Sequence, residues 1–360
     1  MKIKRLLFFL VSVVVISLLA FVYNMFFMPL NSNPNTRNIF VVDRDMSAKA
    51  FVQSLKDKNI FVNDKFLLAY LKFTGKAKRL KAGTFAIDPN DSIVRLVARI
   101  ENFDILKKNF LIIAGTTNAQ VAANLQKAEF LNYSKLDWGK VFSYSPELNI
   151  VCAEDPLNYS SSAKSKGCME VLQVISEPEN LEGLFLADTY SYHAGSSAVN
   201  LLAVANANLK KHLFKAWQNR QIGLPYNSPY ELLIAASILE KESALQNERR
   251  IISGIIVNRL RRKMPLQMDP TVIYGLKNSY SGKLRHADLP IATKYNTYKN
   301  TGLPPTPIAI VSKDAIDAAS NPEITDFLYF VATGNGAHVF SKTYAEQRTA
   351  IKQYLRNVNE

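Results

Sequence analysis

The chain has 360 residues, 48% of them hydrophobic and 21% charged, with 14 Gly and 15 Pro. This composition excludes collagen-like, low-complexity and wholly disordered chains, and at roughly 100–200 residues per domain the length provides for two domains and a small third. Lys and Arg number 44 against 30 Asp and Glu, a formal charge of +14 at pH 7, which suits nucleic acid, anionic lipid or an acidic polymer as partner.

Residues 1–30 decide among those partners. Lys2, Lys4 and Arg5 precede an uncharged run from Leu6 to Val22, and Tyr23, Phe26 and Phe27 follow where an interfacial aromatic belt would lie. At ~1.5 Å per residue, Leu6 to Met28 is long enough to cross a hydrocarbon core of about 30 Å. A cleaved signal peptide would need a small-x-small site, and Phe21 to Phe27 contains none. The segment therefore reads as a cytoplasmic stub and a transmembrane anchor, with the remaining ~330 residues exported under the positive-inside rule. Nucleic acid drops out as a partner. Without the three anchor charges the exported part keeps +11 of the +14, which favours an anionic membrane surface or wall polymer.

Residues 31–38 form a polar linker, and residues 39–105 follow as strand, helix, helix, strand, helix. The strands are IFVV and the stretch Lys81–Ile87; the helices are MSAKAFVQSLKDKN, KFLLAYLKFTG and SIVRLVARI, with apolar residues at helical spacing. Residues 106–180 connect onward, opening with a strand at Lys108–Ile113 and a helix over Ala119–Lys127. Their later part, 131–178, has weak periodicity and reads as a loop-rich insertion, of which 145–178 looks private to this chain. It carries Cys152 and Cys168, which lack metal-ligand spacing; outside the cytoplasm they fit a loop-closing disulfide worth about 3 kcal/mol, with two free thiols as the alternative.

The strongest pattern occupies residues 181–360. Ser228-Pro229-Tyr230-Glu231 is a capping box with Pro at the first helical position, and the helix it opens, LLIAASILEKES, is apolar almost all round, as a buried helix is. Glu240 and Glu242 close it, pointing about 200° apart, so the two cannot share one cleft. Either one, held against apolar neighbours, would be pushed toward the protonated form that a general acid needs. The alternative is a structural ion pair with Arg249, Arg250, Arg259, Arg261 or Arg262. From the helix alone the two carboxylates are not distinguished.

A second helix, ERRIISGIIVNRLRR, precedes loops shaped by Pro and Gly that hold Gln267, Asp269, Tyr274, Tyr295, Asn296, Tyr298 and His338. Hydrogen-bonding groups mixed with flat rings suit a sugar chain in a groove. Singly, each has a structural explanation: tyrosines pack, Asp before Pro turns the chain, and a lone His is commonly a satisfied one. His193, His212, His286 and His338 are scattered, with no metal-binding spacing, so neither a metal nor another cofactor is called for.

These motifs together resemble the YceG-like endolytic murein transglycosylases of bacteria. The resemblance rests on Glu182-Gly183, Asp188-Thr189-Tyr190, Ala236 through Ser243, Glu248-Arg249, Asn258-Arg259-Leu260, Leu266-Gln267 and Asp269 through Gly275. It continues in Tyr295 through Tyr298, Gly302 through Pro305, Tyr329-Phe330-Val331, and His338 with Phe340. Ala187, Met268 and Ala114 stand where that family usually has Pro, Thr and Glu. Lys81 to Thr84 looks like the family's LysM-like N-terminal subdomain. The implied fold is α+β: a transmembrane helix, a small LysM-like subdomain over 39–105, and a larger mixed catalytic domain over 181–360.

The resemblance makes Glu242 the catalytic acid and implies cleavage of the β-1,4 bond between N-acetylmuramic acid and N-acetylglucosamine in nascent strands, leaving 1,6-anhydro ends. It also implies a single-pass protein of the bacterial inner membrane with a periplasmic catalytic domain, peptidoglycan strands as substrate, and peptidoglycan synthases as partners. Glu240, Gln267, Asp269, Tyr274, Tyr295, Asn296, Tyr298 and His338 become candidate substrate-binding residues, Glu240 alternatively orienting the site or pairing with Arg249 or Arg259. A hydrolytic muramidase would need a second carboxylate, for which Asp269, Asp188 and Glu182 are available. A non-catalytic wall-binding or divisome scaffold is the other alternative.

Overall fold

A computed structural model describes residues 2–30, 38–58, 60, 63–88, 90–133, 141, 181–243, 245–334 and 336–354. Cys152, Cys168 and the 145–178 insertion lie outside the described residues. The first elements are α1 (Lys2–Phe27), β1 (Asn38–Val42), α2 (Ala48–Asp57), α3 (Asp64–Phe73), β2 (Gly83–Ile87), α4 (Ile93–Glu101), β3 (Lys107–Ile112) and α5 (Asn118–Gln126). After the insertion come β4 (Asp188–His193), α6 (Ala198–Gln218), α7 (Pro229–Glu242), α8 (Gln246–Arg261), α9 (Asp269–Leu276), α10 (Lys313–Ser320), β5 (Tyr329–Ala332), β6 (His338–Ser341) and α11 (Tyr344–Tyr354). Among the described residues the strands form two-stranded ribbons, β1–β2, β3–β4 and β5–β6. The architecture is mixed α+β, dominated by helices.

The chain divides into two compact units. One comprises Met1–Lys108 with Glu129–Leu131 and Ser191–Ser196. Its β1 and β2 pair antiparallel with Phe40 opposite Phe85, and the order β1–α2–α3–β2–α4 is the one the sequence periodicity predicts. Phe40, Phe51, Leu55, Leu71, Phe85, Leu96 and Ile100 are fully buried between the ribbon and the helices. Ser47, Asn63 and Ser92 cap α2, α3 and α4, each accepting a backbone N–H. After α3 the chain reverses at Gly75, whose φ of +69° is the left-handed value that glycine takes at a helix end. Arg99 on α4 donates to the Ala86 carbonyl at 2.6 Å and pairs with the buried Asp91 at 2.9 Å, fixing α4 to the end of β2.

The second unit comprises Asn109–Ala128, Asn132–Tyr190 and Ser197–Glu360. At its centre is α7, whose residues from Leu232 to Leu239 are all buried and which packs against α6, α8, α9 and α10. A helix apolar on every side needs neighbours on every side, and this one has them. The buried Ser237 hydroxyl would be an uncompensated polar group there; it donates to the Ile234 carbonyl at 2.7 Å and accepts the Ile308 N–H at 3.0 Å. Gly183 adopts φ +74°, and a Cβ there would collide with Pro307 and the Ala309 carbonyl, so the turn after Glu182 admits only glycine.

Candidate active site

The site is built on the C-terminal end of α7. Ser228 accepts the Glu231 N–H at 3.3 Å and Pro229 opens the first turn, as the capping pattern predicts; Glu231 returns the bond by accepting the Asn227 N–H at 2.7 Å. The helix ends where Ser243 turns extended. Because Glu240 and Glu242 leave its last turn on different sides, they meet different surroundings.

Glu240 is committed on both oxygens. Oε1 takes a bond from Arg249 Nη2 at 2.8 Å, and Oε2 takes the Ser312 N–H at 2.8 Å together with the Ser312 hydroxyl. Arg249 also donates to Ser312 Oγ and to the Ser243 carbonyl, both at 3.1 Å. Only 5% of the Glu240 side chain and 10% of the Arg249 side chain are exposed. Of the two arginines considered for Glu240, Arg249 is its partner.

Glu242 is the contrasting case. It remains partly exposed, and among the described residues no hydrogen bond or ion pair holds its carboxyl. Burial disfavours its charged form and the nearby negative charge of Asp269 acts in the same direction, so its pKa is pushed up to about 8. At neutral pH the carboxyl is mainly protonated.

Asp269, at the start of α9, accepts a bond from Tyr298 Oη at 2.6 Å. The Tyr298 phenol is raised above its usual range by burial, by that bond and by the charges of Asp269 and Glu242, with Arg259 opposing. Burial also lowers Arg259; it donates to the carbonyls of Leu328 (2.6 Å), Leu266 (2.8 Å) and Pro265 (3.1 Å) and to Gln267 Oε1 (3.3 Å). Gln267 itself sits at φ +52° with its N–H on the Thr297 carbonyl at 3.1 Å. The fold thus brings Glu242, Asp269, Tyr298, Arg259 and Gln267 into one neighbourhood. Arg259, which the sequence offered as a partner for Glu240 and within the motif Asn258-Arg259-Leu260, instead holds the Pro265–Gln267 turn.

The other candidates are arranged differently. Tyr274 Oη donates to Glu182 Oε2 at 3.3 Å, and its ring meets Tyr295 edge-on at 4.8 Å. Tyr295 shares a hydrogen bond with Thr306 at 3.0 Å. Asn296, fully buried, gives its amide to the carbonyls of Leu289 and Ile291 and accepts the Tyr298 N–H, positioning Tyr298 from behind. His338 Nδ1 pairs with Glu248 at 2.7 Å, and Phe330 lies edge-on to its ring. Of the alternative carboxylates, Glu182 is raised by burial while holding the Asn118 N–H. Asp188 is lowered by its bond from Lys313 at 3.0 Å. Asp269 is the acid whose charge reaches Glu242.

A buried helix thus ends in a carboxyl raised toward its protonated form, beside an Asp–Tyr pair, an arrangement with the chemistry to donate a proton. The YceG-like family model matches residues 40–353, so the chain belongs to the YceG-like family. It is 28% identical to an endolytic murein transglycosylase of Bacillus subtilis (strain 168) over 343 residues, 92% of this chain and 89% of that protein. An endolytic murein transglycosylase of Streptococcus pneumoniae serotype 2 is 34% identical over 190 residues, 50% of this chain and 32% of that longer protein. The crystal structure of the yceG-like protein lmo1499 from Listeria monocytogenes, 27% identical, superposes with a TM-score of 0.52 over 87% of this chain and 98% of that one.

Proposed function

We propose that this chain is an endolytic murein transglycosylase, a lyase that cuts glycan strands of peptidoglycan between N-acetylmuramic acid and N-acetylglucosamine. The observation that carries the reading is the different state of the two glutamates ending α7: Glu240 is consumed by Arg249 and Ser312, and Glu242 is left protonated and partly exposed. Family membership and the relatives' names support it.

Protonated Glu242 donates its proton to the glycosidic oxygen as the bond from muramic C1 to that oxygen breaks. The resulting carboxylate takes the proton of the muramic C6 hydroxyl while that oxygen bonds to C1. One carboxyl thus serves twice, the product is a 1,6-anhydro end, and no water enters. Positive charge develops at C1 in between, and Asp269, whose carboxylate accepts the Tyr298 hydroxyl, is taken as the negative group that stabilises it. Gln267, Asp269 and Tyr298 are taken as sugar contacts. Tyr274, Tyr295, Asn296, His338 and Glu240 position the walls.

The proximity of Asp269 to Glu242 also supports a second reading, a hydrolytic muramidase with two carboxylates. Incubating the protein with glycan strands and weighing the reducing ends separates the two, because hydrolysis adds one water that the anhydro product lacks. Anhydro ends from the unaltered chain and at least a roughly 100-fold loss in Glu242→Gln are expected; hydrated ends, or an active variant, would overturn the mechanism. A scaffold would give neither product.

The apolar α1 is taken as a membrane span with its basic end in the cytoplasm and the rest periplasmic, where new strands and their synthases lie. Its Leu7–Asn24 window is long and apolar enough and is not buried by protein. The antiparallel β1–β2 pair enclosing α2 and α3 supports the LysM-like reading of residues 39–105. Cys152 and Cys168 are proposed to be bonded in that compartment.

A further inference from the structure

Asp269 opens α9, and Met268 before it brings no side chain to cap that helix. An acidic side chain in this place is ordinarily drawn to the free N–H groups of its own first turn. The Asp269 carboxylate is held elsewhere: Oδ1 accepts the Tyr298 hydroxyl at 2.6 Å, across 29 residues of chain. Among the described residues no other hydrogen bond holds it. Its charge reaches Glu242, so its placement bears on the group that gives the proton.

Tyr298 is itself fixed. Its N–H donates to Asn296 Oδ1 at 2.8 Å, and the buried Asn296 gives its amide to the carbonyls of Leu289 and Ile291 at 2.8 and 2.7 Å. Between them Thr297, also buried, accepts the Met268 N–H at 3.0 Å and shares a hydrogen bond with the Thr271 hydroxyl at 2.8 Å. Its carbonyl takes the Gln267 N–H at 3.1 Å. Thr297 therefore fixes the backbone that carries Asp269, and Tyr298 fixes the side chain. A carboxylate exposed to water at a helix end has several rotamers open to it, and a hydroxyl on a held ring selects one.

We propose that Tyr298 is a positioning residue for the cleavage: its hydroxyl withholds the Asp269 carboxylate from the N–H groups of α9 and keeps it available to the positive charge that develops at C1. This rests on the lyase reading, in which Asp269 stabilises that charge. It deepens that reading by giving Tyr298 a role exerted through Asp269, beyond any contact of its own with the sugar.

The test is a double-mutant cycle in the full chain, with kcat and KM measured on glycan strands. Tyr298→Phe keeps the ring and its packing and removes only the hydroxyl. It is expected to lower kcat about 10-fold with KM unchanged within about twofold. Asp269→Ala removes the carboxylate and should lower kcat about 100-fold, and in that background Tyr298→Phe should cost less than about twofold more. A full further loss of about 10-fold in the Asp269→Ala background overturns the proposal, as does a change confined to KM, which would make Tyr298 a sugar contact only. An Asp269→Ala chain as fast as the unaltered one removes the role of Asp269 and the proposal with it. The reducing ends formed by the unaltered chain report the lyase reading separately: hydrated ends overturn that reading, while the cycle, read from rates alone, still decides whether Tyr298 acts through Asp269.

Discussion

Holding one carboxylic acid protonated near neutrality has a thermodynamic cost that can be measured. Glu242 stands at about 8 in the folded chain against 4.5 for an unperturbed glutamate. Between those values the unfolded chain has released a proton that the folded chain keeps, so folding carries no penalty below the lower value and a growing one as pH rises toward the upper. At ~1.4 kcal/mol per unit, reduced for partial exposure, the penalty near pH 7 is on the order of 2 kcal/mol. Glu242→Gln should therefore melt higher than the unaltered chain at neutral pH, with the gain fading toward pH 5. Thermal melts across that range check it, and a gain independent of pH would mean that the ionisable proton is not its source. In activity, the rate should fall above about pH 8 with the slope of a single proton, because the acid must begin the reaction protonated.

At the scale of elements, the ends of helices determine which glutamate is which. Ser312 caps α10 by accepting the Ala315 N–H, and the same residue gives its own N–H and hydroxyl to Glu240. The end of α7 is thereby tied to the start of α10, with Arg249 of α8 closing the arrangement. Such a buried set acts as a unit, so a double-mutant cycle of Glu240→Gln and Ser312→Ala should show a coupling of about 0.5–3 kcal/mol in urea unfolding, whereas additive losses would mean independent contacts. This is also where the legibility of the sequence ends. The start of α7 was readable because its signals are local: Ser228, Pro229 and Glu231 lie within one turn. The first unit's order of strands and helices was readable from spacing for the same reason. Of the partners of Glu240, Arg249 is only nine residues on and was among the arginines the sequence offered, but Ser312 is 72 residues away, and the Tyr298–Asp269 bond spans 29. No periodicity encodes such separations, so residue spacing reached the pair Glu240 and Glu242 but not their division of roles; the resemblance supplied that assignment.

For the molecule as a whole, the apolar helix belongs to one unit and Glu242 to the other. The two are joined covalently, so attachment through α1, as proposed above, would affect catalysis through concentration. An enzyme confined to the surface from which its substrate emerges meets it at an effective concentration that a short tether sets in the millimolar range, far above the bulk value. The full chain in proteoliposomes bearing lipid-linked strands should accordingly cut ~10–100 times faster than the same amounts dispersed in detergent, with substrate well below saturation. Exchanging α1 for an unrelated apolar helix of equal length should preserve the advantage, since only confinement is required of it. Deleting residues 1–30 should lower the liposome rate to the detergent rate and leave cleavage of soluble strands unchanged. If the deleted chain still cuts membrane-linked strands at the full rate, the exported basic surface is sufficient to hold the enzyme there, and the anchor makes no kinetic contribution.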